Sequence, residues 1–141
     1  MADPAKEIQH RHGQARVTVD VADEDRFSVV VERIRTERID GVPAAAAAPA
    51  VAAGINYLLE PLRLVESGPD EALVRSADAH QDKDGAKRFY ELRFQGKDMV
   101  MGRQKHIGGE TAPEPFTLPR ETLDRLVDDL GRMIGRSEPS D

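Results

Sequence analysis

The sequence predicts an α+β domain: an antiparallel β-sheet, built from a hairpin plus a four-stranded meander, covered by a C-terminal amphipathic helix, with one short additional helix. Three observations predict it. Val17, Val19 and Val21 alternate with polar residues, as a half-buried strand does. Arg88 to Phe94 alternates again and runs into Gln95-Gly96-Lys97-Asp98, where Gly96 supplies the positive φ that a tight Gly-X hairpin turn needs. Leu123, Leu126, Val127, Leu130, Met133 and Ile134 recur at helical spacing and make one apolar stripe.

Taken in order, residues 1–15 are polar and aperiodic and read as a flexible tail, and residues 16–135 as a single domain. A first hairpin spans about 16–34. Phe27, Val29 and Val31 alternate in its second strand, and the turn is Ala22-Asp23-Glu24-Asp25. Phe27, Val30, Val31 and Ile34 also fit a helical stripe, but the run of three valines favours strand. The Ala run between Pro43 and Pro49 reads as a hydrophobic connection. Pro49 then suits the first turn of a helix over about 50–60, with Pro61 closing it.

The meander covers about 62–107. Leu62 and Leu64 alternate, Ser67-Gly68-Pro69-Asp70 turns the chain, and Leu73 and Arg75 alternate against Ala72, Val74 and Ser76, with Leu73 taken as the core-facing residue. With Gly96-Lys97 as the turn pair of the next hairpin, Phe94 faces Met99, Leu92 faces Met101 and Tyr90 faces Arg103. Residues 108–115 read as a flexible return, Phe116-Thr117-Leu118 as a short edge strand, 119–135 as the covering helix and 136–141 as a second flexible tail. Pro119 suits that helix's first turn and Gly135 its end. The predicted core is Val17, Val19, Phe27, Val29, Val31, Ile55, Leu58, Leu62, Leu64, Leu73, Tyr90, Leu92, Phe94, Met99, Met101, Leu123, Leu126, Val127, Leu130 and Ile134.

Composition bounds the function. The 141 residues contain no Cys, so a disulfide framework and a thiolate metal site are both ruled out. No apolar run follows Met1, and no stretch has the length of a membrane span, so a soluble cytoplasmic protein is expected, with no membrane partner. Arg outnumbers Lys and Ala is abundant, a usage associated with GC-rich bacterial genomes. The formal net charge of −6 does not point to nucleic acid or to anionic lipid. Its distribution is uneven, however: Lys87 to Lys105 carries net +4 and the remainder −10.

Motifs add little. Gly102 and Gly108-Gly109 lack the context of a phosphate loop, and no serine sits in a nucleophile elbow. Asp128 and Asp129 are assigned to the solvated side of the last helix. His10 and His12 have no third ligand nearby, His80 and His106 stand alone, and Asp82 to Gly85 lacks the spaced oxygens of a calcium loop. No catalytic, cofactor-binding or metal-binding residue is therefore assigned, and no cofactor is expected. The reading that needs no motif is a non-enzymatic protein-interaction or regulatory module. Its partner is another protein or a second copy of the chain, taken up on an open sheet face bearing Phe89, Val100 and Ile107. The alternative is single-stranded nucleic-acid binding through the basic hairpin 87–105, with Arg88, Phe89, Arg93, Lys97, Arg103 and Lys105 as the candidate surface. Four strands followed by a helix is similar in element order to Pur-type repeats, with no family signature matched.

Overall fold

Among the described residues nine antiparallel strands make one sheet, and two helices lie on one side of it. The computed structural model describes residues 6–58, 60–76 and 83–136. The strands are β1 (Lys6–His12), β2 (Ala15–Glu24), β3 (Ser28–Arg38), β4 (Leu62–Ser67), β5 (Glu71–Ser76), β6 (Lys87–Gln95), β7 (Asp98–Ile107), β8 (Glu110–Glu114) and β9 (Phe116–Pro119). A 3₁₀ turn over Ala44–Ala47 leads into helix α1 (Ala48–Gly54), and the chain closes with helix α2 (Arg120–Ile134). The order across the sheet is β1-β2-β3-β7-β6-β5-β4. No helix among the described residues is long and apolar enough to cross a membrane.

The middle of the sheet explains the last two strands. β3 and β7 pair only over Ile34–Glu37 and Asp98–Met101 and then diverge. The segment from Glu110 to Pro119 fills the gap. β8 takes the free edge of β7 opposite Arg103–Ile107, and β9 takes the free edge of β3 opposite Ser28–Val31. Residues 110–114 are thus strand where the sequence predicts a flexible return. They carry almost no apolar periodicity, and backbone pairing with β7 holds them. Phe116 and Leu118 point into the core.

The tail predicted over 1–15 is corrected as well. Lys6–His12 pairs with β2 along its whole length and is strand, not tail; residues 1–5 of the predicted tail lie outside the described residues. Residues 137–141 of the other predicted tail also lie outside them. The meander stands as predicted, with Phe94–Met99, Leu92–Met101 and Tyr90–Arg103 as the observed pairs. The first hairpin is present but longer than 16–34, because Ala22–Glu24, predicted as its turn, extends β2, and β3 runs on to Arg38.

α2 packs its stripe on β1, β2, β3 and β9, while α1 covers β4 and β5. Leu126 and Leu130 are wholly buried against Val17, Val19, Val29 and Val31 in the shared core. The short helix begins earlier and ends sooner than the predicted 50–60. The Ala run is itself helical, and Ala44, Ala45 and Ala48 are buried because their small side chains let the backbone lie close to the sheet. Pro49 occupies the first turn of α1, where its missing N–H costs nothing. Gly54 ends the helix beside Met133, whose terminal methyl would have to swing aside to admit a Cβ.

Two core expectations fail. Phe27 is 74% exposed, because the Asp25 carboxylate accepts the N–H groups of Phe27 and Ser28, both at 2.8 Å, and this holds Phe27 in the turn before the strand starts. On β5 it is Ala72 and Val74 that face the core, while Leu73 is buried on the opposite face, opposite Arg93. Leu58, Leu62 and Leu64 are half-buried at the margin of the core.

Candidate functional site

The β6–β7 hairpin divides its own candidate residues. Side chains of an antiparallel pair share a face with their cross-strand partners. Tyr90–Arg103 and Arg88–Lys105 therefore lie on the helix side, and Phe89–Gln104 and Arg93–Val100 on the open side. Of the six predicted surface residues, Arg88, Arg103 and Lys105 fall on one face, Phe89 and Arg93 on the other, and Lys97 at the turn. Ile107 shares the parity of Arg103 and Lys105, so it does not join Phe89 and Val100 either.

On the helix side the cations are engaged. Arg103 is largely buried and makes a two-pronged pair with Glu60, at 3.1 and 3.2 Å. Its guanidinium lies 4.4 Å from the Tyr90 ring, which in turn meets Phe116 edge to face at 5.5 Å. Burial raises the Tyr90 phenol above its ordinary pKa. Arg88 bonds Glu114 at 2.8 Å and Asp84 at 3.1 Å, and Lys105 is half-buried beside it. Asp129, expected on the solvated side of α2, is buried. It accepts the Tyr57 hydroxyl at 2.7 Å and pairs with Arg132, while Arg125 covers the Tyr57 ring at 4.0 Å. Desolvation, then the bond to Asp129, holds the Tyr57 phenol well above its usual range.

The open face is a lattice of paired charges across β1, β2, β3, β6 and β5. Asp20 is fully buried on this face because two guanidiniums cover it: Arg35 donates at 2.9 and 2.8 Å, and Arg33 at 2.8 Å. The bond to Asp20 holds Arg35 more firmly protonated, and Glu7 adds a further contact at 3.0 Å. Glu37 bridges Arg16 at 3.5 Å and Lys97 at 3.0 Å. The Lys97 bond lowers the Glu37 carboxyl and raises the Lys97 ammonium. Glu91 likewise bridges Arg75 and Arg93, and Arg75 lies over the Phe89 ring at 5.5 Å.

Among these charges Val100 stands 42% exposed, close to Gly102, which presents no side chain at all. A shallow depression of about 330 Å³ opens over Thr18 and Val100, walled by Gln9, Arg16, Arg35 and Glu37. Thr18, Asp20, Arg33 and Arg35 were not singled out from the sequence. The signal was present in the polar positions of two valine-rich strands, but only the β2–β3–β7 register brings them beside Val100.

Among the described residues no group of three His, Asp or Glu side chains could hold a metal. His10 is exposed and His12 packs on α2. His106 bonds Thr111 at 2.7 Å, while His80 and Asp82 lie outside the described residues. No family model matches the chain, and neither the curated proteins nor the solved structures compared with it include a match.

Proposed function

We propose that the chain is a non-enzymatic protein-interaction module. Its open sheet face takes up a protein partner whose own surface carries both signs of charge around one apolar side chain. The observation that carries the reading is the composition of that face. Arg16, Arg33, Arg35, Arg75, Arg93 and Lys97 are matched there by Glu7, Asp20, Glu37 and Glu91, around an exposed Val100 and a depression of side-chain size. A lattice of alternating sign is complementary to another mixed surface and gives specificity through like-charge mismatch with wrong partners. A phosphate backbone would instead require a field of one sign. The single-strand reading has less support, since Arg88, Arg93, Lys97 and Arg103 each have a carboxylate partner and do not share a face.

The test uses the purified full chain. A partner captured by the native protein is purified and titrated against native protein and Val100→Arg. An affinity loss of about tenfold or more, equal to about 1.4 kcal/mol, supports the reading. Equal affinity for both proteins overturns it. So does salt-dependent binding of labelled single-stranded DNA or RNA that is lost in Arg93→Glu, a result that would establish the nucleic-acid reading in its place.

A further inference from the structure

The two edges of the sheet are built differently. β4 is interrupted: its register with β5 slips between Leu64 and Glu66, and Val65 is turned outward. A bulge of this kind blunts an edge against further pairing. β1 has no such device. It runs in unbroken register with β2 from Lys6 to His12, and among the described residues no strand lies on its outer side. Its outward row of backbone N–H and C=O groups is a template for one more strand.

The side chains say which strand fits. We propose that β1 pairs antiparallel with β1 of a second copy about a two-fold axis at Gln9, continuing the sheet across a homodimer. In that register Glu7 of each copy faces Arg11 of the other on the open side, twice by symmetry, and Ile8 faces His10 on the helix side. All seven residues are paired. A slip of one residue sets open-face side chains against helix-face positions and is excluded. Slips of two residues in either direction take Arg11 away from Glu7. Charges that would repel an arbitrary strand thus select this one partner and this one register.

Among the described residues Arg11 also has no carboxylate partner. In β2 it lies opposite Arg16, a like-charged neighbour, and its Nε donates at 3.3 Å to the Gly13 carbonyl. Glu7 of the second copy supplies the missing counter-charge. Ile8, half-buried and packed on the core, gains cover from His10. A seven-residue strand pair is a small contact, at the low end of specific interfaces, so the dimer is expected to form in about the micromolar range. The inference stands apart from the proposed partner face, since backbone pairing at an edge does not require Val100.

Sedimentation of the full chain over a concentration series tests it, with thermal unfolding as the check on folding. Native protein is expected to dimerise. Glu7→Arg and Arg11→Glu, each alone, place like charges opposite one another and weaken the dimer at least about tenfold. Mixed together, the two variants restore it, because each then offers the charge the other lacks. Val65→Asp, at the opposite edge, leaves dimerisation at the native level. In a chain without cysteine, Gln9→Cys falls on the axis and cross-links under mild oxidation, and adding Glu7→Arg abolishes the cross-link. A native chain that stays monomeric to millimolar concentration overturns the proposal. So does a dimer indifferent to both charge variants, or a mixture no tighter than either variant alone.

Discussion

Replacing Gly131 with alanine sets two effects of opposite sign against each other. In an exposed helix interior the change stabilises by about 1 kcal/mol, because alanine has less backbone entropy to lose. Gly131 is not exposed: it is buried where α2 meets the turn between β1 and β2. An added Cβ would stand 2.7 Å from His12 Cγ and 2.9 Å from His12 Cβ, and closer still to Cδ2. Rotating the imidazole cannot clear it, because the His12 Cβ is itself one of the overlapped atoms. The turn must lift instead, straining the Gln14 N–H bond to the Gly135 carbonyl at 3.2 Å and the 3.7 Å approach of His12 Nδ1 to Asp128. Overpacking of this kind costs about 1–3 kcal/mol, which exceeds the helix-propensity gain. Gly131→Ala is therefore expected to destabilise by about 1–2 kcal/mol and to lower the melting temperature by roughly 3–8 °C for a chain of this size. Urea and thermal unfolding measure it. In a His12→Gly background all three overlapped atoms are gone, so the same change becomes neutral or stabilising, with a coupling energy of about 1 kcal/mol or more. A stabilising Gly131→Ala on its own, or an additive cycle, would refute the seating of the β1–β2 turn on α2.

Other perturbations separate buried from solvated interactions. Leu126→Asp places an unpaired charge at a wholly buried site and should abolish cooperative unfolding at 25 °C, so a sharp urea transition in that variant would contradict the core assignment. Arg38 is buried, pairs with Asp40 at 2.7 Å and donates to the carbonyls of Ile134 and Arg136 at 2.9 and 3.1 Å, closing the C-terminus of α2. Arg38→Met should cost about 3–5 kcal/mol by denaturant titration, whereas Arg93→Met on the exposed lattice should cost less than about 1 kcal/mol. Acid should weaken the fold in a defined window. Glu24 is held below its ordinary 4.5 by Lys6 and then Arg120, Glu37 below the same value by Lys97, and Asp25 and Asp40 below 3.8 by the Phe27 N–H and by Arg38. In that range the folded chain binds fewer protons than the unfolded chain. Stability is therefore complete above about pH 5 and falls as the pH drops through 4.5 and below. A melting temperature flat from pH 6 to about pH 3 would remove these pairs from the account.

Local chemistry by itself determined the parts whose pattern repeats within one element. Alternation set the faces of β2, β6 and β7, Gly96 set the hairpin register, and the six-residue stripe set the buried side of α2. Tertiary structure decided everything that depends on which element lies alongside. β1 and β8 carry polar sequences with no apolar period, and they are strands because a neighbour's backbone offers hydrogen bonds that the sequence of the strand itself does not record. The same holds for charge. A run of six cations reads as one basic surface along the chain, but the period of two sends Arg88, Arg103 and Lys105 to the helix side of the sheet and leaves Arg93 on the open side. Asp20, Glu37, Glu60 and Glu114, distant in sequence, then neutralise cations that share no local motif with them. Ion pairing falls off within a few ångströms, so it is written in the fold's register and not in the spacing of residues along the chain.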